Sequence, residues 1–250
     1  MTVRSIPTRL KHEPLYEAVW EIRFSPKQAA LELLTGQLHS ELNKLGWSLA
    51  GVSHLPASNV PPQLRQADAA FRHMPVVRLD GSPLSVAIGD HVVVLSCPRP
   101  YVGWSRFGKC ILQLSQTLRR TGLLDQPERF SLKYLDVIQG KPDLGALAIN
   151  VRIGDRSLSG EPLQLRTELQ ADDLIHIVEV ALPSKIRLHT GEELHGSAIG
   201  TDTLCMADGD AADFWNSFEE RLERVHAANK ELFFALLSSD TLQSLGPEYK

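Results

Sequence analysis

The sequence predicts an α+β fold in which antiparallel or mixed sheets pack against three long amphipathic helices. Strand-like segments follow one another across short turns instead of alternating with helices, which argues against a doubly wound cofactor-binding fold. The chain has 250 residues, of which 43% are apolar, and this is enough to bury a large core without disulfide or metal support. The coarse order of elements in the two parts of the chain suggests two pseudo-duplicated halves, although no residue-level repeat is visible.

A βα unit opens the chain. Apolar and polar residues alternate from Leu15 to Phe24, which is typical of a half-buried strand. Ser25 and Pro26 fit the N-cap and N1 positions of a following helix that ends before Gly46. The apolar stripe of this helix is Leu31, Leu34, Leu38, Leu42 and Leu45.

Residues 47–75 predict a long connection, because prolines near its centre prevent a long helix there. A short helix is expected from Pro62 to Ala70. Two antiparallel hairpins follow, with turns at residues 80–83 and 89–90, where Gly, Asp, Ser and Pro favour tight turns. Their three strands are Val76 to Leu79, Leu84 to Ile88, and Val92 to Cys97.

A second amphipathic helix is predicted from Trp104 to Thr121, with Gly122 as its C′ residue. The next strand runs from Phe130 to Ile138. The apolar face of the helix is Phe107, Ile111, Leu114 and Leu118. Its opposite face is Arg106, Lys109, Gln113, Gln116 and Arg120.

The turn-rich stretch at residues 139–143 is the strongest candidate boundary. It divides the chain into a basic half, 1–140, and a strand-rich acidic half, 141–250, which we expect to form one compact unit. Hairpin turns are expected at residues 171–173 and 183–184, and a single long closing helix begins near Ala211. The strands of this half are Leu147 to Ile153, Leu163 to Gln170, Leu174 to Leu182, Lys185 to Leu188, and Ser197 to Met206.

The composition and the motifs limit the compartments, partners and chemistry that fit this chain. The net charge of −4 excludes a uniformly basic nucleic-acid binder. The three cysteines have neither zinc-site nor disulfide-framework spacing, which favours a reducing cytoplasm. No secretory signal and no run of 18 apolar residues occur, so neither export nor a membrane partner is expected. The common nucleophile, phosphate-loop and dinucleotide signatures are absent, so no catalytic residue and no cofactor are expected.

Charge is unevenly distributed along the chain. Residues 1–150 hold 17 basic and 12 acidic side chains, whereas residues 151–250 hold 9 and 18. Arginine suits phosphate or carboxylate ligands, so a ligand-binding face is one interpretation of the basic segment between Arg99 and Lys133. A solvated helix face that complements the acidic half is the simpler interpretation. The candidate ligand-binding residues are Arg99, Arg106, Lys109, Arg119, Arg120 and Lys133.

Asp208 and Asp210 are weak candidates for binding a hard divalent ion, because they flank a flexible glycine. The alternative is that they cap the closing helix and favour its dipole, since neither EF-hand spacing nor a partner glutamate follows. We therefore expect helix capping and no metal.

Histidines offer two further candidates. His189 and His195 flank Glu192 and Glu193, but the spacing is not that of a zinc helix, and an exposed hairpin loop is the better interpretation. His226 lies beside the apolar stripe of the closing helix, and a packing or surface role is expected for it.

Three stretches carry a resemblance. Leu10 to Phe24 resembles the "PlxEaxxEIrF" opening of a sporadically distributed, functionally uncharacterised bacterial family of roughly this length. Phe130 to Ile138 is similar to its central "LRYiNxI" strand, with Lys133 in place of the usual Arg and Asp136 in place of the usual Asn. The segment from Asp202 to Phe233 is similar to its "DxD" strand and closing helix.

The resemblance implies a bacterial cytoplasmic protein whose patchy occurrence is typical of mobile or defence-linked genes. It carries over no catalytic residues. We therefore expect a non-catalytic binding or adaptor protein that recognises a bacterial protein or peptide, or a second copy of itself. The alternative is a phosphate, nucleotide or nucleic-acid binder that uses the basic helix face; an aspartate-metal hydrolase ranks last.

Overall fold

A computed structural model describes residues 5–26, 31–140, 142–187, 191 and 193–249. Within them the chain forms the α+β fold expected from the sequence. The strands are β1 (Arg9–Leu10), β2 (Leu15–Pro26), β3 (Leu49–His54), β4 (Val77–Gly81), β5 (Ser85–Ile88), β6 (Val92–Pro98), β7 (Leu124–Gln139), β8 (Arg152–Ile153), β9 (Arg156–Ser157), β10 (Leu163–Ala171), β11 (Leu174–Arg187), β12 (Glu193–Met206) and β13 (Pro247–Glu248). The α-helices are α1 (Leu31–Lys44), α2 (Pro62–Ala67), α3 (Ala69–Arg72), α4 (Trp104–Thr121), α5 (Ala211–Asn216), α6 (Phe218–Leu236) and α7 (Ser239–Ser244).

Most of these strands belong to one open antiparallel sheet. In the described part of the chain its order is β10-β11-β12-β7-β2-β6-β5-β4-β3. The hairpins from β4 to β6 keep a regular register, for example Val77 opposite Ile88 and Ile88 opposite Val93. Two small two-stranded sheets, β1 with β13 and β8 with β9, complete the pairing.

The chain divides into two compact units, and each draws on both of the sequence halves 1–140 and 141–250. The first unit holds residues 1–16, 133–203 and 226–250, and the second holds residues 17–132 and 204–225.

The core of the second unit follows from the period of its elements. Alternation turns the even-numbered side chains of β2 inward, and Trp20 and Phe24 are fully buried. On α1 and α4, apolar residues spaced three and four apart form one face of the helix, and this face is also turned inward. Aromatic rings close the core, with Trp20 edge-on to Phe218 at a centroid distance of 6.1 Å. Each such side chain contributes roughly 1.5–3 kcal/mol by burial. Other fully buried members are Ala18, Ile22, Leu34, Leu38, Leu42, Phe107, Ile111, Leu114 and Leu118.

The core of the first unit joins strands to the carboxyl-terminal helices. Buried side chains alternate along β11 because one face of this strand faces the core. The cluster consists of Leu10, Leu144, Leu147, Val178, Val180, Leu182, Ile199, Leu237, Leu242 and Leu245.

The α+β class, the three long helices, the two central hairpins and the bounds of α4 are confirmed. Gly122 ends α4 in the left-handed region at φ 65°, as expected for a C′ glycine. The hairpin turn between β10 and β11 is also confirmed.

The predicted start of α1 is wrong. Ser25 and Pro26 belong to β2, and the Ser25 hydroxyl donates to the Glu128 carboxylate at 2.9 Å instead of capping a helix. Residues 27–30 lie outside the described part of the chain. The predicted connection at 47–75 contains β3, which the sequence analysis missed because Gly51 and Ser53 interrupt its apolar alternation.

Three predictions for the second half are also wrong. Leu147 to Ile153 is not a full strand: Leu147 makes one isolated bridge, and only Arg152–Ile153 pairs, with β9. The hairpin turn predicted at residues 183–184 is absent, because Pro183 lies inside β11. It follows the last residue paired with β10, Leu182 opposite Leu163, so no hydrogen bond to β10 is lost there. The closing helix breaks at Ser217, whose hydroxyl donates to the Asp213 carbonyl at 2.7 Å and competes with the helical backbone.

No helix among the described residues is both long and apolar enough to cross a membrane.

Candidate binding surface on helix α4

Helix α4 separates its apolar and charged residues cleanly. The buried face includes Phe107 and Leu118, and this orientation turns the basic side chains outward. The exposed basic residues of α4 are Arg106, Lys109, Arg119 and Arg120. Hereafter we call these four residues the α4 cations.

Among the described residues, none of the α4 cations has a carboxylate within ion-pair distance. Arg119 Nη2 instead donates to Asn216 Oδ1 at 3.0 Å, and Arg120 Nη2 donates to Thr117 Oγ1 at 3.2 Å. Elsewhere arginines are paired, as Arg65 is with Asp90 at 2.8 Å. The Arg120 charge acts on Glu41 of α1, but none of the four cations forms an ion pair with a described carboxylate. The exposed side of α4 therefore carries an excess of positive charge.

A cleft of about 510 Å³ lies between α1 and α4. Gly36 helps to open it, because no atom lies within 4 Å of the position that a side chain would take there. A hydrogen bond from Lys44 and its charge lower the pKa of Glu41, and the Arg120 charge lowers it further. Hydroxyl, amide and charged groups line the cleft: Gln37, Ser40 and Glu41 from α1, and Thr117, Arg120 and Thr121 from α4. This lining can hold an acidic or polar group beside Arg120.

The other two predicted ligand-binding residues do not belong to α4. Arg99 is exposed in the loop between β6 and α4. Lys133 belongs to β7 in the first unit, where its Nζ lies 3.2 Å from Glu179 Oε2. Lys133 therefore forms an ion pair, which none of the α4 cations does with a described carboxylate.

Acidic residues adjoin the α4 cations within the second unit. Trp104 Nε1 donates to the Glu223 carboxylate at 3.1 Å, so the first turn of α4 touches α6. The same helix exposes Glu219 and Glu220. The surface around α4 thus combines a cationic face with an acidic border.

Asp210 caps α5, where its Oδ1 accepts the N–H of Asp213 at 2.8 Å, and the expected capping role is confirmed at this residue. Asp208 is exposed in the preceding loop. Within the described ranges no group of three or more His, Cys, Asp or Glu could hold a metal ion.

The predicted exposed hairpin loop at residues 189–195 is wrong for Glu193 and His195. Glu193 and His195 belong to β12, and their side chains lie 3.6 Å apart. His189 and Glu192 lie outside the described residues.

Sequence reasoning missed a polar group inside the first unit. The Tyr134 hydroxyl lies 3.1 Å from Nδ1 of His226, and burial lowers the pKa of His226 to about 4. On the same strand, burial raises the pKa of Asp136 to about 8, and the nearby Glu13 carboxylate raises it further. Asp136 occupies an inward position in the alternation of Phe130, Leu132 and Tyr134, so period-two counting was a signal that could have found it.

A second missed feature is the buried network around Asn229. Its amide donates to Thr203 Oγ1 at 2.9 Å and accepts the Thr201 hydroxyl at 2.9 Å. His176 Nδ1 lies 2.8 Å from the same Thr203 hydroxyl. Asn229 lies at the helical spacing of the apolar residues of α6, and this spacing gives no indication of these partners.

No model of a known protein family matches the chain, and no curated protein sequence matches it. The resemblance to the sporadically distributed bacterial family therefore stays a prediction.

Proposed function

We propose that this chain is a non-catalytic binding protein that recognises an acidic segment of a partner protein through the α4 cations and the adjoining cleft. The observation that carries this proposal is the local excess of positive charge. Exposed cations that are not held in ion pairs attract acidic groups and accelerate their encounter.

The cleft supplies specificity in this proposal. Arg120 offers a planar guanidinium fork beside the hydroxyls of Thr117 and Thr121. A carboxylate of the partner can accept hydrogen bonds from such a fork in two-point geometry.

A protein partner fits this surface better than a nucleic acid. A long polyanion needs phosphate contacts along its length. Helix α6, which contacts α4 through Glu223 and Trp104, exposes Glu219, Glu220 and Glu223, and these carboxylates repel phosphate. A protein partner can place acidic groups on α4 and basic or neutral groups on α6.

The setting of this function is also part of the proposal. The three cysteines are free thiols, which fits a reducing cytoplasm. The resemblance adds the expectation of a bacterial partner encoded in a mobile or defence-linked system.

The test is charge reversal at two exposed α4 positions, Arg106→Glu with Lys109→Glu. The matched control is Arg9→Glu with Arg152→Glu, which makes the same net change at exposed positions of the first unit. Tagged forms are purified gently from the native host and compared by native mass spectrometry, with absorbance at 260 nm recorded for each.

We expect a stoichiometric protein partner on the wild type and the control, absent from the α4 variant. Binding should weaken as salt is added, because exposed charges are screened. A partner retained by the α4 variant overturns the proposal. So does a nucleic acid in place of a protein, or the absence of any partner on all three forms.

A further inference from the structure

Strand β10 forms one end of the nine-stranded sheet as described, and β3 forms the other. The two edges differ. The β3 edge has 6 residues, and its register shifts between Leu49 and Gly51. Shortness and bulges are two of the devices that protect edges from pairing.

The β10 edge has neither protection. It has 9 residues and pairs with β11 in unbroken register from Leu163 opposite Leu182 to Ala171 opposite Leu174. In an antiparallel pair every second residue turns its N–H and C=O away from the neighbouring strand. Leu169 on this strand is 44% exposed. The edge therefore offers a ready template for another strand.

The sequence of β10 complements itself when read against a second copy in the opposite direction. With Thr167 opposite its own copy, Arg166 opposes Glu168 and Glu168 opposes Arg166. One residue further out, Leu165 opposes Leu169, and beyond them Gln164 opposes Gln170. Charge therefore meets opposite charge, leucine meets leucine and amide meets amide from Gln164 to Gln170, and at the strand ends Leu163 opposes Ala171.

The two faces of the strand agree with this register. Arg166 and Glu168 are two residues apart, so they share one face of the strand, and Glu179 of β11 lies opposite Arg166 on that face. Leu165 and Leu169 lie on the other face. A two-fold axis perpendicular to the sheet keeps each face of one copy continuous with the same face of the other. The opposite-charge pairs then lie on one face and the leucine pairs on the other, and such cross-strand pairs stabilise antiparallel strands.

Neighbouring registers are worse. An axis through Arg166 places two arginines opposite each other, and an axis through Glu168 places two glutamates opposite each other. Like charges directly opposite destabilise a strand pair. Only the axis through Thr167 also pairs all 9 residues of β10.

We propose that the protein forms a two-fold homodimer in which β10 pairs antiparallel with β10 of a second copy, with the axis at Thr167. Such an interface is isologous, because each residue and its partner exchange roles between copies. A strand pair of this length is small for an interface. We therefore expect a weak dimer, with a dissociation constant in the micromolar range. This inference is independent of the partner-binding role of α4.

The first test is charge reversal at Glu168. Within its own chain Glu168 lies 2.9 Å from Arg166, whereas Arg166 also lies 3.6 Å from Glu179. Sedimentation velocity across the micromolar range measures the dimer constant of the wild type, Glu168→Arg, and the swapped double variant Arg166→Glu with Glu168→Arg. We expect the single variant to weaken the dimer by about tenfold or more and the swap to restore it. Asp155→Arg, at an exposed turn position off the edge, makes the same charge change and leaves the dimer unchanged.

The second test reads the register directly. Opposed residues of antiparallel strands have Cα atoms about 4.5 or about 5.5 Å apart, within disulfide reach. Mild oxidation should therefore give a covalent dimer from Thr167→Cys, whereas Leu165→Cys and the wild type stay uncrosslinked. A wild type that is monomeric throughout, a dimer insensitive to Glu168→Arg, or a Thr167→Cys form that does not crosslink overturns the proposal.

Discussion

The Tyr134 hydroxyl lies 3.1 Å from Nδ1 of His226 across 92 residues of sequence. Burial is the main cause that lowers the pKa of His226 to about 4, and the Lys230 ammonium one turn further along α6 lowers it further. The ring is therefore neutral at pH 7. A neutral ring that carries its proton on Nε2 accepts the tyrosine hydroxyl at Nδ1.

This pair predicts a pH dependence of stability. The folded pKa of His226, about 4, lies below its ordinary value of 6.5. The unfolded chain therefore binds a proton more readily between these values, and the free energy of unfolding falls as pH drops from 6.5 towards 4. We expect His226→Gln to remove this part of the fall, as measured by urea unfolding at a series of pH values.

Tyr134→Phe serves as the comparison, since it removes the hydrogen bond but keeps the titrating ring. It should cost about 1 kcal/mol at pH 7 and leave the fall between pH 6.5 and 4 in place. Parallel stability curves for the wild type and His226→Gln would contradict the assignment.

Asp136 predicts a dependence of the opposite sign. Burial raises the pKa of this carboxyl from 3.8 to about 8, so the folded chain holds a proton that the unfolded chain releases between these values. Stability from this group is therefore lost as pH rises from 3.8 through about 8. We expect Asp136→Asn to be more stable than the wild type at pH 8, by an amount of order a few kcal/mol.

The advantage of Asp136→Asn should shrink as pH falls, because the wild-type carboxyl is then neutral in both states. Glu13→Gln tests the secondary cause, since the Glu13 carboxylate also raises the pKa of Asp136. A stability difference that stays constant with pH would show that the gain arises from packing and not from the proton.

The sequence predicts local features of this protein well. Helix α4 has the expected bounds, because its period and Gly122 are both encoded within one stretch of chain. The same holds for the Asp210 cap, which depends on residues three apart, and for the hairpins from β4 to β6.

Long-range relationships were beyond sequence reasoning. Spacing along the chain cannot place Tyr134 beside His226, nor Asn229 beside two threonines of β12. It also grouped Lys133 with the α4 cations on composition alone, although Lys133 pairs with Glu179 on a neighbouring element. Whether a cation of α4 forms an ion pair depends on which carboxylates approach it, and only the fold decides that.

The buried network at Asn229 predicts a large mutational cost. Asn229 is 1% exposed and bonds both Thr201 and Thr203. Asn229→Leu removes the acceptor of the Thr201 hydroxyl, whereas Thr203 keeps His176 as a partner. A buried group left unsatisfied costs roughly 1–3 kcal/mol. Thermal or urea unfolding measures the loss. Combining Asn229→Leu with Thr203→Val should cost less than the sum of the two single changes, and strict additivity would contradict a coupled network.

The last prediction separates capping from metal binding at the start of α5. Asp210→Ala removes the acceptor for the Asp213 N–H and should cost about 1 kcal/mol of stability. Asp208→Ala is the matched control, since it removes an exposed carboxylate that caps no helix terminus, and it should change stability by less than about 0.5 kcal/mol.

Both variants and the wild type are melted with EDTA, with magnesium and with calcium. If the carboxylates only cap, the three melting temperatures of the wild type coincide. A wild type that is stabilised by either cation, with the effect lost in both variants, would instead assign a metal to Asp208 and Asp210.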